Sequence, residues 1–141
     1  MLSAGRSLPP NAPKDKPGSA TRDQVPRFER AIAPYVAKAR ATYPDAKNRF
    51  LAGLPPKQMF FITTRLHDKD GKWEQAFIQV QSIKDGKVTG TISSDLVIVK
   101  TFKIGQKYNF PECDMLDWVI TKPDGTEEGN FVGHFLDTYK P

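Results

Sequence analysis

The chain contains one set of side chains that could perform acid–base chemistry if the fold brought them together. Glu74, Asp117 and His134 supply two carboxyl groups and one imidazole, which are the groups that enzymes most often use to move protons. Such a trio would suit a small hydrolase or a small-ligand-binding enzyme. No short motif joins the three residues, so their convergence depends on tertiary structure alone. We keep an enzyme as an alternative and predict no catalytic site.

Asp117 also has a structural interpretation, because it directly precedes Trp118. An Asp at a strand end or turn commonly accepts hydrogen bonds from backbone N–H groups, and a neighbouring Trp packs in the core. We favour this interpretation over a general base.

The other reactive residues form no recognisable metal or cofactor motif. His67 and His134 are the only histidines and lack the spacing of metal ligands, so no metal site is expected. Cys113, the only cysteine, has acidic neighbours that do not favour a nucleophile. Glu127 and Glu128 are typical of a charged hairpin edge. No glycine-rich loop precedes a helix, so no cofactor is expected.

The N-terminal part of the chain predicts one helix after an extended segment. Residues 1–22 are rich in Pro, Gly, Ser and Lys and predict a flexible lead-in, followed by a single domain at 23–141. Asp23 could cap the helix, whereas Pro34 should kink or split it, and 45–54 could form a further short turn after Pro44. The buried side should consist of apolar residues at steps of three and four, namely Val25, Phe28, Ile32, Tyr35, Val36, Ala39 and Tyr43.

The second half of the chain predicts antiparallel strands joined by tight turns. Asp70-Gly71, Asp85-Gly86 and Asp124-Gly125 each separate segments rich in Phe, Ile, Val and Thr, and Asp-Gly is a strong hairpin signal. Each strand should pair with the next along the chain. We predict strands near 58–67, 73–83, 87–93, 106–111, 114–122 and 127–136, with 95–104 as an irregular connection.

These elements predict an α+β domain. The N-terminal amphipathic helix should pack on a curled antiparallel sheet of five to six strands, either a half-barrel or an SH3-like barrel. By alternation, the core face should contain Phe60, Ile62, Leu66, Ala76, Ile78, Val80, Val88 and Ile92.

The opposite face of the first two strands mixes aromatic rings with amides and a guanidinium group. Such a surface suits protein binding, because aromatic side chains supply contact area and polar ones fix orientation. Alternatively, the helix covers this face with Phe28, Ile32 and Tyr35. The candidate binding residues are Phe61, Arg65, Trp73, Gln75, Phe77 and Gln79.

Several separated motifs resemble the YegJ-like bacterial family, catalogued as a domain of unknown function. The C-terminal signature consists of a Lys-x-Gly turn at 103–105, Asp117-Trp118, a Pro-Asp-Gly hairpin at 123–125 and Gly129-Asn130-Phe131. An Ala- and Arg-containing helical run at 37–42 and an Asp-Gly hairpin at 85–90 extend the resemblance over about 30–136.

The chain departs from this family at Trp73-Glu74-Gln75-Ala76-Phe77. There the family commonly shows Glu-His-x-Trp, so Glu74 is retained while Gln75 and Phe77 replace the His and the Trp. Any proton-transfer role of that histidine is therefore absent here. The resemblance implies a bacterial origin and no established activity.

Composition and charge limit the remaining possibilities. The 141 residues fit one domain, and no apolar run is long enough for a membrane span. The N-terminus lacks the apolar core of a signal peptide. The localisation stays open between the cytoplasm and, if this chain is a mature exported form, the periplasm. Residues 1–57 carry 11 Lys or Arg against 4 Asp or Glu, but no nucleic-acid motif accompanies this excess.

The sequence therefore favours a non-enzymatic module whose partner is another protein, as in small immunity or accessory proteins that occlude a toxin or enzyme. The oligomeric state stays open. A second alternative is an anionic-surface binder that uses Arg27, Arg30 and Lys38 on the helix.

Overall fold

The computed structural model describes residues 25–138, with side chains from residue 27 onward. It confirms the α+β class, with one long N-terminal helix and six antiparallel strands. The predicted lead-in at 1–22 and the predicted cap Asp23 lie outside the described residues. In chain order the elements are α1 (Val25–Ala52), β1 (Met59–His67), β2 (Trp73–Lys84), β3 (Lys87–Ile92), β4 (Lys107–Pro111), β5 (Asp117–Thr121), β6 (Glu127–Gly129) and α2 (Phe131–Leu136).

Helix α1 continues through both of its internal prolines. Pro34 does not split it, and the stretch after Pro44, which we predicted as a separate short turn, belongs to the same helix. Both prolines lie on the exposed side of α1, where water can bind the carbonyl that each leaves without an N–H partner. The buried side is therefore continuous.

The sheet has the strand order β4-β3-β2-β1-β5-β6, so β1 and not β4 pairs with β5. Our prediction that each strand pairs with its successor is wrong at this one connection. All five residues of β5 are buried. Strand β5 lies in the interior of the sheet beside β1, so both of its faces are covered. A 3₁₀ turn at Glu112–Asp114 connects β4 to β5.

The sheet is not closed into a barrel, which corrects the SH3-like barrel prediction. Strands β4 and β6 form its two edges, because neither has a second strand partner among the described residues. The part of α1 from Ala39 onward packs on one face of the open sheet instead.

The last predicted strand, 127–136, is wrong beyond Gly129. Asn130 adopts a left-handed conformation with φ of 57°, which ends β6 and turns the chain into α2. His134 therefore lies on a helix and not in a strand.

Tight turns connect the hairpins as the Asp-Gly pairs predict. Asp85 and Gly86 both have positive φ, as a type I′ turn requires. Gly71 and Gly125 also have positive φ, whereas the preceding Asp in each pair does not.

The main core lies between α1 and one face of the sheet. It contains all eight predicted core residues together with Ala39, Tyr43 and Ala46 of α1. The ring of Phe50 stacks on Phe60 at a centroid distance of 5.2 Å. Within residues 25–138, no helix combines the length and apolar character that crossing a membrane requires.

Candidate functional site

The predicted binding face is buried at its centre. Phe61 is 0% exposed and Phe77 is 2% exposed, and both belong to a second small cluster with Val119. Gln75 is 1% exposed. These three candidate residues are not accessible to a partner in this structure. The α1 residues from Ala39 onward pack on the opposite face of the sheet.

The half-buried candidates Arg65 and Trp73 hold the start of α1 against the sheet. The Arg65 guanidinium lies over the Trp73 ring, 4.3 Å from its centroid, and also forms an ion pair with Glu29 of α1. The Phe28 ring lies 5.8 Å from that of Trp73. Gln79, the last candidate, is half-buried near the middle of β2.

Glu74 organises a loop between β3 and β4. Its carboxylate accepts hydrogen bonds from the backbone N–H groups of Val97, Ile98 and Val99, at N–O distances of 2.8–3.2 Å. Glu74 is 8% exposed. The three N–H donors replace the water molecules that the carboxylate loses on burial. The Glu74 side chain therefore has a structural role.

Asp68 continues the same arrangement one step further along the loop. Its carboxylate accepts hydrogen bonds from the backbone N–H groups of Lys100 and Thr101, both at 2.9 Å, and from the Thr101 hydroxyl. The Thr101 hydroxyl and these two N–H groups hold the pKa of Asp68 below its usual range. We call residues 96–101 the clamped loop, because two carboxylates fix five consecutive N–H groups.

The clamped loop presents two apolar side chains to solvent. Val97 is 58% exposed and Ile98 is 37% exposed, whereas Val99 is buried in the main core. Leu51 at the end of α1 is the only other large hydrophobic residue of the described chain with comparable exposure. The sequence showed 95–104 only as an irregular connection, because nothing local identifies Glu74 and Asp68 as its anchors.

Asp117 caps α2 from the neighbouring strand, which confirms its structural interpretation. One carboxyl oxygen accepts the Val132 N–H at 2.7 Å, and the other accepts the Trp118 N–H at 2.8 Å. Burial, the largest influence, raises the pKa of Asp117 to about 7, although both hydrogen bonds and the nearby His134 oppose the rise.

The signature residues Trp118, Gly129 and Asn130 form one packing unit with Asp117. The Asn130 N–H donates to the Trp118 carbonyl at 2.7 Å, and a Cβ atom on Gly129 would lie 2.3 Å from that carbonyl oxygen. The Trp118 indole N–H donates to the Thr42 hydroxyl of α1 at 2.9 Å. The signature therefore attaches β6 and α2 to β5 and β5 to α1.

The alternative catalytic trio does not converge. Glu74 is opposite Leu66 in the β1–β2 register, whereas Asp117 is opposite Thr63 in the β1–β5 register, and these two β1 positions point to opposite faces. His134 contacts Glu127 on the exposed surface at 3.1 Å. Among the described residues, no group of three His, Cys, Asp or Glu side chains could hold a metal ion.

The three basic residues proposed for an anionic surface, Arg27, Arg30 and Lys38, are all exposed on α1. Arg27 and Arg30 are exposed near its start, while the Lys38 ammonium lies over the Phe131 ring, 4.8 Å from its centroid. Cys113 is exposed in the 3₁₀ turn.

No protein-family model matches the chain, and the searches found no similar curated protein or solved structure. The YegJ-like resemblance of the motifs therefore stays a prediction.

Proposed function

We propose that this protein is a non-enzymatic protein-binding module and that the clamped loop is its binding surface. The observation that carries the proposal is the exposure of Val97 and Ile98 on a loop whose backbone is already hydrogen-bonded. Exposed apolar side chains contribute to binding by leaving water, and a pre-ordered loop loses little conformational entropy when a partner binds.

The surface around the loop carries charges of both signs. Lys100 lies within the loop and exposed Asp95 directly precedes it, while the adjoining β1–β2 hairpin carries exposed Lys69 and an ion pair of Lys72 with Asp70. An apolar centre with a charged rim is the usual arrangement of protein interfaces. In this proposal the module occludes its partner in the manner of small immunity or accessory proteins.

The hydrogen bonds that Glu74 and Asp117 already make favour a binding role over catalysis. Glu74 and Asp117 each accept two or more backbone hydrogen bonds, and the strand register separates them. A proton-transfer site would need these groups within hydrogen-bond reach of one substrate atom.

The test is a pull-down of the tagged protein from lysate of its own source, repeated with matched variants. Val97→Ser combined with Ile98→Ser should weaken capture of a stoichiometric partner by about tenfold or more, because both apolar contacts are lost. Leu51→Ser removes a side chain of similar exposure, 55%, at a distant site and should leave capture unchanged.

A third variant tests whether loop order matters. Glu74→Ala keeps Val97 and Ile98 but removes the acceptor of three N–H groups, so amide exchange at 97–99 should accelerate and capture should weaken. Equal capture by the wild type and the double Ser variant would exclude the clamped loop as the surface. Substrate turnover without any retained protein would instead favour the enzyme alternative.

A further inference from the structure

A second surface lies on the sheet face that points away from the main core, which we call the outer face. Its central cluster consists of Phe61, Phe77 and Val119, one residue from each of three neighbouring strands, and these residues are 0–2% exposed. Polar residues of the same face are equally buried at 1–3% exposure, namely Thr63, Gln75 and Thr121. A sheet face loses its water to this extent when another layer of chain packs on it.

The start of α1 reaches the outer face at one end. Phe28 lies against Trp73 there, and Glu29 forms an ion pair with Arg65. The apolar residues at this end form a cluster of their own. No helical residue of the described chain belongs to the central cluster, whose one further apolar neighbour is Met59 of β1. The apolar cover of the central cluster therefore does not come from α1 or α2.

The chain enters its described part at the same end of the outer face. Val25 begins α1 one turn before Phe28, so residues 1–24 join the helix close to Trp73. Trp73 and Phe77 are four residues apart on β2, or about 13 Å along a strand. Since a fully extended segment of 24 residues spans about 80 Å, residues 1–24 are long enough to cross the outer face.

The composition of residues 1–24 suits contact with aromatic rings. Proline rings pack on aromatic side chains at little entropic cost, because their backbone φ is already fixed. Leucine adds flexible apolar area. The segment contains both kinds of residue, namely Leu2, Leu8, Pro9, Pro10, Pro13 and Pro17.

We propose that residues 1–24 pack on the outer face and cover the central cluster. The lead-in predicted at 1–22 then forms a second layer on the sheet, and it has to leave before another protein can bind Phe61 or Phe77. The clamped loop is a separate surface, because Glu74 anchors it from the opposite face of β2. The proposed partner of the loop and the proposed cover of the outer face can therefore each fail alone.

Photo-methionine, a diazirine analogue of methionine with similar size, tests this contact in the full chain. Met59 lies against the central cluster, whereas Met115 lies in the main core and serves as the internal control. After irradiation and digestion, mass spectrometry should find cross-links from Met59 to peptides of residues 1–24. Met115 should give no such cross-links.

A mixture of ¹⁵N-labelled and unlabelled chains identifies the occupant. Cross-linked peptides of a single isotope show that the segment belongs to the same chain, as proposed. Peptides of mixed isotope would show that a second copy covers the face and would overturn the proposal. Cross-links from Met59 to residues 25–141 alone would also overturn it.

Two double variants separate stable packing from chance collisions of a tethered segment. Leu2→Ser combined with Leu8→Ser removes apolar contacts and should lower the yield of the Met59 cross-links. Ser3→Ala combined with Ser7→Ala changes neighbouring positions without this loss and should leave the yield unchanged. An equal yield from both double variants would show collisions only and would overturn the proposal.

Discussion

At the residue scale, Asp117 shows how one carboxyl group serves the fold. It lies in a buried strand and accepts the second N–H of α2, a group that has no partner within the helix itself. Asp117 and Trp118 therefore have complementary roles: Asp117 attaches α2 to β5, and Trp118 attaches α1 to β5 through its hydrogen bond to Thr42.

Replacement of Asp117 should change how stability depends on pH. The pKa of this carboxyl is about 7 in the folded protein and about 3.9 in an unfolded chain. Between these values the unfolded state is ionised while the folded state keeps its proton, so the free energy of unfolding should fall by about 3 kcal/mol as pH rises from 4 to 7. Asp117→Asn should lose this slope in urea unfolding measured across that range.

Asp124 provides a control of opposite sign. The hydrogen bond from the Thr126 hydroxyl lowers the pKa of Asp124, so the stability it contributes is present above its unfolded pKa and is lost only as pH falls further. Asp124→Asn should therefore leave the slope between pH 4 and 7 intact. An unchanged slope in Asp117→Asn would show that burial of Asp117 does not control this range.

At the element scale, Gly129 determines how closely β6 and α2 approach β5. It has φ of 81°, and a Cβ atom would meet both the carbonyl and the ring of Trp118 at under 3 Å. Gly129→Ala should therefore lower the free energy of unfolding by about 3 kcal/mol or more, because strain from positive φ and a steric clash add together. Urea unfolding measures the loss.

Gly125→Ala is the matched control for this effect. Gly125 has a similar φ of 88°, but nothing lies within 4 Å of the position of its Cβ atom. Only the conformational strain should remain, at about 1 kcal/mol. Equal losses in the two variants would contradict the close contact of Gly129 with Trp118.

At the scale of the whole molecule, buried clusters on both faces share the same central strands. The main core includes Trp118, and the cluster of Phe28 and Ile32 includes Trp73 at its edge. Because β1 pairs with both β2 and β5 and contributes side chains to both faces of the sheet, we expect the two faces to unfold together.

Two single-tryptophan variants test this cooperativity. Trp73→Phe leaves Trp118 as the fluorescent probe of one face, and Trp118→Phe leaves Trp73 as the probe of the other. In each variant, the fluorescence midpoint in urea should coincide with the midpoint from circular dichroism, as a two-state transition requires. The agreement is judged within each variant, since each substitution also changes stability. A fluorescence midpoint below the circular dichroism midpoint would show that one face unfolds first.

The sequence by itself determined the features that depend on neighbours in the chain. The steps of three and four identified the buried side of α1, alternation identified the eight core residues of the sheet, and Asp-Gly pairs located the three hairpins. Asp117 was also correctly expected to cap N–H groups, because its place before Trp118 is a local signal.

Only the tertiary structure decided the features that join distant segments. Pairing of β1 with β5, burial of Phe61 and Phe77, and anchoring of the loop by Glu74 each depend on contacts that no local pattern records. The same applies to α2, whose six residues are too few to form a stable helix alone and are held by Asp117 of β5. Local sequence preferences determine which segments form helices, strands and turns. The burial of apolar side chains and the pairing of buried hydrogen-bonding groups determine how these elements pack together.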